Sequence, residues 1–101
     1  MSDSVQSKQG ILIRLTDARW EHIVTEHGEL SESRDAVLQA VGDPERILAG
    51  GSGELLAVRE IESGKWLVVV YREHEQDGFI ITAFWTRRYR SLEKRDVLWS
   101  R

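Results

Sequence analysis

Cysteine is absent from this chain of 101 residues, and proline occurs only once. Without cysteine the chain has no disulfide, no thiolate ligand for a metal and no cysteine nucleophile. No glycine-rich phosphate loop and no carboxylate cluster of the metal-binding type occurs in the sequence either, so we expect neither a metal nor another cofactor. The composition permits a reducing compartment, and we expect a cytoplasmic protein.

Long apolar runs are also missing. No segment approaches the roughly 20 apolar residues that a membrane-spanning helix needs, and we expect no membrane contact. The first ten residues, MSDSVQSKQG, lack the apolar segment of a secretory signal. We therefore expect residues 1–10 to be a disordered lead and residues 11–101 to form a single domain of ordinary size.

Basic side chains are outnumbered by acidic ones, 14 against 17, which gives a formal net charge of -3. That balance argues against strong attraction to free nucleic acid. The charge is unevenly spread, however. Residues 1–83 carry 8 basic and 15 acidic side chains, a net of -7, whereas residues 84–101 carry 6 and 2, a net of +4. The basic end is either an edge that faces anions or a solvated helix end.

Three strand-like runs follow one another in the second half of the chain: Glu54–Ile61, Trp66–Glu73 and Phe79–Thr86. They are rich in β-branched and aromatic residues, which favour a pleated, largely buried surface. The connections between them are polar and contain glycine, which is typical of hairpin turns. The pattern predicts a three-stranded antiparallel meander.

Helices are predicted on both sides of the meander. A lead-in strand over Gly10–Leu15 precedes Thr16, which is well placed as an N-cap for a helix that ends near Gly28. A second helix is predicted over Arg34–Val41 and a last short one over Leu92–Trp99. The predicted fold class is α+β: an N-terminal strand and two helices packed on a three- to four-stranded antiparallel meander, with a short C-terminal helix.

The predicted hairpins place polar side chains among apolar ones. If Ile61 pairs with Trp66, Arg59 lies on the same face of the meander as Thr82 and Thr86. An arginine beside two hydroxyls is suited to hold a phosphate or a carboxylate. The alternative for Arg59 is a structural ion pair with an acid such as Glu26, Glu29 or Glu60, since a half-buried guanidinium needs an anionic partner.

Two histidines lie in the first predicted helix, within WEHIVTEHGEL. His27 extends the apolar stripe that includes Trp20, so it is either a partly buried helix-end histidine or a general acid or base. His22 lies beside Arg19 and Glu26 on another side, where it is either a solvated charged residue or the second acid or base. Their five-residue spacing does not suit a two-histidine metal site.

An aromatic residue lies between cations directly after the last strand, in the run formed by Arg87, Arg88, Tyr89 and Arg90. This composition suits contact with RNA, and an ordinary charged strand end is the alternative. Tyr71, Trp85 and Trp66 in predicted strands are more often core residues than stacking platforms.

The order of several segments resembles a known group of nucleases. RLTDARWEHIVTEHGEL, a helix ending in VGDPERIL, then KWLVVVYRE and GFIITAFWTRR together resemble small phage- and bacteria-associated proteins of the barnase/EndoU/colicin/RelE-like (BECR) nuclease group. The resemblance covers roughly residues 13–90. It implies a RelE-like α+β domain and metal-independent cleavage of RNA, in which the ribose 2′-hydroxyl attacks the adjacent phosphate.

The resemblance also implies roles for single residues. His22 and His27 would be the acid and base, and Arg59 would stabilise the phosphate charge. The other implied residues are those that position or contact the RNA: Thr82, Thr86, Arg87, Arg88 and, in the same basic run, Arg90.

Two functions therefore stay open. The first is an endoribonuclease-like protein, a toxin of a toxin–antitoxin pair whose small antitoxin covers the basic end or the sheet. The second is a non-catalytic interaction domain that homodimerises or binds a partner through an apolar face of the sheet. A large open apolar face is uncommon on a soluble monomer, so the face that the helices leave open is a groove floor, a subunit interface or a bed for the C-terminal segment.

Overall fold

A computed structural model describes residues 2–101 of the chain. Seven strands, three α-helices and one 3-10 turn follow one another. In chain order they are β1 (Ser2–Gln6), β2 (Leu12–Thr16), α1 (Asp17–Glu26), the 3-10 turn Gly28–Leu30, α2 (Arg34–Gly42), β3 (Arg46–Ala49), β4 (Leu55–Glu62), β5 (Lys65–His74), β6 (Asp77–Thr86), α3 (Arg90–Glu93) and β7 (Val97–Ser100).

All seven strands belong to one sheet, in the order β1-β2-β6-β5-β4-β3-β7. The pairings are antiparallel except that of β2 with β6, which is parallel and covers only Leu12–Arg14 against Asp77–Phe79. The predicted fold class is therefore wrong. The meander β4-β5-β6 exists, but it is the centre of a seven-stranded mixed sheet, and four further strands surround it.

The predicted disordered lead is also replaced by structure. From Ser2 onward it forms β1, which pairs with β2 from Ser2 opposite Thr16 to Gln6 opposite Leu12; Met1 lies outside the described residues. The strand is largely polar, and its pairing comes from backbone hydrogen bonds that composition does not reveal. The tight turn between the two strands places Gly10 at φ 82°, a conformation that glycine adopts without steric cost.

The first helix begins and ends close to its predicted positions. Thr16 is its N-cap, and the hydroxyl accepts a hydrogen bond from the backbone N–H of Arg19 at 3.1 Å. The pairing of β2 with β6 ends at Phe79, so the rest of that edge of β6 has no neighbouring strand. The helix α1 lies along this part of the edge. There the guanidinium of Arg19 donates to the carbonyl oxygen of Ile81 at 3.2 Å.

Both faces of the sheet are covered. One face packs against α1 and α2 and forms the larger core. Its buried residues include Ile13, Ile23, Val41, Val69 and Tyr71. The other face forms a smaller core, and its buried residues are Leu48, Leu56, Val58, Val68 and Leu92.

The second face is covered by the segment that follows β6. Leu92, in α3, is only 4% exposed, and the ring of Tyr89 lies 4.9 Å from that of Trp66. The predicted C-terminal helix over Leu92–Trp99 is wrong in extent, because α3 ends at Glu93 and the rest of the segment forms β7. The C-terminal segment thus covers this face of the sheet, which is one of the three roles that the sequence left open for it.

Candidate nucleic-acid interface

Arg59 lies on the opposite face of the sheet from Thr82 and Thr86, contrary to the prediction. The turn between β4 and β5 is tighter than expected, with Glu62 opposite Lys65, and the register shifts between Glu60 and Glu62. Arg59 consequently pairs with Leu67. A one-residue slip moves a side chain to the other face of the sheet, so the predicted polar island does not form.

The guanidinium of Arg59 is held by an internal ion pair. Its Nη1 donates to Asp43 at the end of α2, at 3.0 Å to the carboxylate and 2.6 Å to the backbone carbonyl. Arg101 donates to the same carboxylate at 2.6 Å. Hydrogen bonds from Arg59 and then Arg101 lower the pKa of the Asp43 carboxyl below its ordinary value. The structural alternative for Arg59 is therefore observed, with a different acid from those expected.

The hairpin of β5 and β6 places both Thr82 and Thr86 as predicted. Val70 pairs with Thr82 and Trp66 pairs with Thr86. The buried hydroxyl of Thr82 has no hydrogen-bond partner among the described residues, whereas that of Thr86 accepts from the backbone N–H of Arg88 at 3.0 Å. Thr86 thereby helps to shape the turn that leads out of β6.

His22 and His27 occupy different surroundings. His22 is exposed, and its Nε2 lies 3.4 Å from a carboxylate oxygen of Glu26; it also lines a cleft of about 290 Å³ with Thr16, Ala18 and Arg19. His27 is half-buried at the end of α1. Its ring lies 6.2 Å from that of Phe84, and its Nδ1 lies 3.6 Å from Glu29.

The residues that the resemblance assigns to catalysis do not meet in a single cleft. Arg59 lies on the face that carries the helices, His22 lines the cleft beside α1, and Thr82 and Thr86 lie on the other face of the sheet. Within residues 2–101 there is also no group of three histidine and acidic side chains placed to hold a metal ion.

The three arginines predicted to bind nucleic acid do lie together. They line a cleft of about 490 Å³, which we call the arginine cleft. Its residues are Trp66, Arg87, Arg88, Tyr89, Arg90, Ser91 and Glu93. The turn from β6 into α3 builds the cleft. Ser91 fixes that turn by donating both its backbone N–H and its hydroxyl to the carbonyl oxygen of Arg88, at 3.1 and 2.8 Å.

The three arginines of the arginine cleft have no acidic partner in the described part of the chain. Arg87, Arg88 and Arg90 are all exposed, and none forms an ion pair with a carboxylate anywhere in residues 2–101. Arg87 also lies 5.7 Å from the ring centroid of Trp85. Other arginines in the protein, such as Arg34 and Arg59, are paired with aspartates. The positive charge of the cleft is therefore not neutralised by internal ion pairs of the described residues.

The aromatic pair Trp66 and Tyr89 forms one wall of the arginine cleft, and both rings are half-buried. The same two residues also line a second cleft, of about 240 Å³, which we call the glutamate cleft. It is lined by Glu45, Arg46, Val58, Glu60, Trp66 and Tyr89. Sequence reasoning missed this second cleft, because β3 and its place beside β4 were not predicted.

Comparison of the chain with models of protein families, with curated proteins and with solved structures finds no match. The BECR resemblance accordingly stays a prediction. No helix in the described part of the chain, residues 2–101, is both long and apolar enough to cross a membrane.

Proposed function

We propose that this protein is a binding module for single-stranded RNA, and that the arginine cleft is its RNA site. One observation carries the proposal: three arginines without carboxylate partners line the same cleft as an aromatic pair. The proposal places the protein in the cytoplasm, with cellular RNA as its partner.

The chemistry of the cleft suits a single strand. Guanidinium groups bind phosphate with two parallel hydrogen bonds. Bases stack on aromatic side chains whatever their sequence, and each stacked base contributes about 1–3 kcal/mol. The net charge of -3 argues against strong attraction of RNA to the surface as a whole, whereas residues 84–101 carry a net charge of +4. The acidic remainder of the surface limits contact with RNA to this one region.

RNA cleavage is a second candidate, and the position of His27 favours it. Its imidazole approaches Phe84, whose strand neighbours Thr82 and Thr86 lie on the face that leads to the arginine cleft. Cleavage would need an acid and a base on either side of a bound phosphate. His27 supplies one such group, and Arg59 is held elsewhere by Asp43.

Binding of a fluorescent single-stranded RNA, followed by anisotropy across a salt series, tests the proposal. Each of Arg87→Gln, Arg88→Gln and Arg90→Gln should weaken binding and reduce the slope of log affinity against log salt by about 0.7 for each phosphate that is no longer neutralised. Tyr89→Leu should weaken binding by about 1–3 kcal/mol, because it removes a stacking surface, and should leave the slope unchanged, since it removes no charge.

Arg14→Gln is the matched control, because Arg14 is an exposed arginine on β2, away from the cleft, and pairs with Asp77. It should leave affinity nearly unchanged. If the triple glutamine variant of the cleft binds RNA as well as the unmodified protein does, the proposal is wrong. The same RNA, analysed for length after incubation, tests cleavage: shortening that stops with His27→Ala would establish the second candidate, and intact RNA would eliminate it.

A further inference from the structure

Trp66 and Tyr89 line two clefts of different charge. The arginine cleft has three arginines and one acid, Glu93, whereas the glutamate cleft has two glutamates and one base, Arg46. A nucleotide has the same polarity, with an anionic phosphate at one end and a base that carries hydrogen-bond donors and acceptors at the other. The two clefts are therefore arranged to take different parts of one nucleotide.

The glutamate cleft is suited to a single base. Its volume of about 240 Å³ lies below the roughly 300–1,000 Å³ of pockets that enclose a whole drug-sized ligand. Val58 and the aromatic pair supply apolar surface for the face of a ring. Arg46 closes the cleft on one side by donating to the hydroxyl of Tyr89 at 2.5 Å, which fixes the position of the aromatic wall.

Each carboxylate of the glutamate cleft has one oxygen already engaged by the backbone. Oε2 of Glu45 accepts from the N–H of Glu60, and Oε2 of Glu60 accepts from the N–H of Gly64 at 2.9 Å. These bonds hold both side chains in place. Among the described residues, neither Oε1 atom has a hydrogen-bond or ion-pair partner, so each carboxylate keeps a free acceptor and, when ionised, has no donor.

We infer that the glutamate cleft selects bases that carry an exocyclic amine. This inference rests on the proposed RNA site. An amine such as N4 of cytosine donates to a carboxylate oxygen, whereas uracil presents the acceptor O4 at the same place and is repelled. The phosphate of the selected nucleotide lies in the arginine cleft, and its base reaches past Tyr89 toward Glu45 and Glu60.

Oligocytidylate and oligouridylate of equal length give the sharpest comparison, because the two bases share size and backbone and differ at this edge. At neutral pH the unmodified protein should bind oligocytidylate about five- to tenfold more tightly, the lower part of the range for one good base contact. In the double variant Glu45→Gln, Glu60→Gln each amide oxygen keeps its backbone bond, and an NH₂ donor replaces the free oxygen. The preference should then disappear or reverse toward uridine.

Glu62→Gln is the matched control, since Glu62 lies on the same strand, β4, and is exposed outside the cleft; it should keep the preference for cytidine. Equal binding of the two RNAs by the unmodified protein, or an unchanged ratio in the double variant, would overturn the inference. Failure of the RNA site itself would give a different outcome. In that case neither oligonucleotide binds, or binding does not respond to the arginine variants.

Discussion

At the scale of single residues, Arg59 shows how a charged side chain is held among apolar neighbours in a strand. A guanidinium within an apolar strand predicts an anionic partner, and Arg59 has one. The acid is Asp43, which lies at the end of α2 and not in a strand next to β4. The two residues meet only because α2 packs across the sheet, and no local pattern specifies that contact.

The ion pairs of Asp43 should make stability depend on pH in the acid range. Because Arg59 and Arg101 hold the folded pKa of this carboxyl below its ordinary value of 3.8, the stabilisation is present above that pH and is lost as the pH falls through the lowered folded pKa. Asp43→Asn should therefore reduce the free energy of unfolding near neutral pH. Urea unfolding curves of the variant and the unmodified protein should converge at the acid end.

Asp96→Asn serves as the control for this experiment. Asp96 is exposed, and within the described residues its carboxylate forms no ion pair. The free energy difference that this control produces should be small. A constant deficit of the Asp43→Asn variant down to the lowest pH would show that its ion pairs are not the cause.

At the scale of elements, the central strands and both long helices could be predicted from the sequence, because apolar residues recur in each at the spacing of a strand or a helix. Their caps and turns also have recognisable chemistry, as at Thr16. The strands at the edges of the sheet could not be predicted in this way. β1 is polar, β3 has only four residues, and β7 lies where a helical pattern was expected. Short edge strands take their structure from the neighbouring strand, and propensity is a weak guide there.

The short helix α3 should owe its position to one side chain. Leu92 is 4% exposed and packs among Leu48, Leu56 and Val68, whereas Leu98, in β7, is 57% exposed. Leu92→Ala should cost about 2–5 kcal/mol in the free energy of unfolding, because it leaves a cavity beneath α3. The matched change Leu98→Ala should stay within about 0.5 kcal/mol.

Urea unfolding of the two alanine variants measures both values. Similar losses would mean that α3 is not anchored by Leu92. The Leu92→Ala variant should also bind RNA more weakly if the proposed site is correct, since α3 carries Arg90 into the arginine cleft.

At the scale of the whole molecule, the missing information is long-range. The sequence indicates the meander, the cation-rich run at Arg87–Arg90 and the face shared by Thr82 and Thr86. It does not indicate that β3 pairs beside β4, which brings Glu45 to the aromatic wall. It does not indicate the parallel pairing of β2 with β6 either, because parallel strands are joined by long crossovers with no turn signal.

This topology predicts the order of folding. The meander is built from pairings between neighbours in the sequence, whereas the contact of β2 with β6 joins Ile13 to Gly78. Closing so long a loop costs chain entropy before any contact compensates for it. We therefore expect the meander to form in the transition state and β2 to dock later.

Two fully buried residues allow this order to be tested. Val69, in β5, and Ile13, in β2, are both 0% exposed, and both alanine substitutions remove core contacts. Val69→Ala should slow refolding, with a φ-value of about 0.5–0.8, and Ile13→Ala should mainly speed unfolding, with a φ-value of about 0–0.3. Stopped-flow refolding and unfolding in urea give both numbers. A φ-value for Ile13 equal to or above that of Val69 would mean that the long-range pairing forms first.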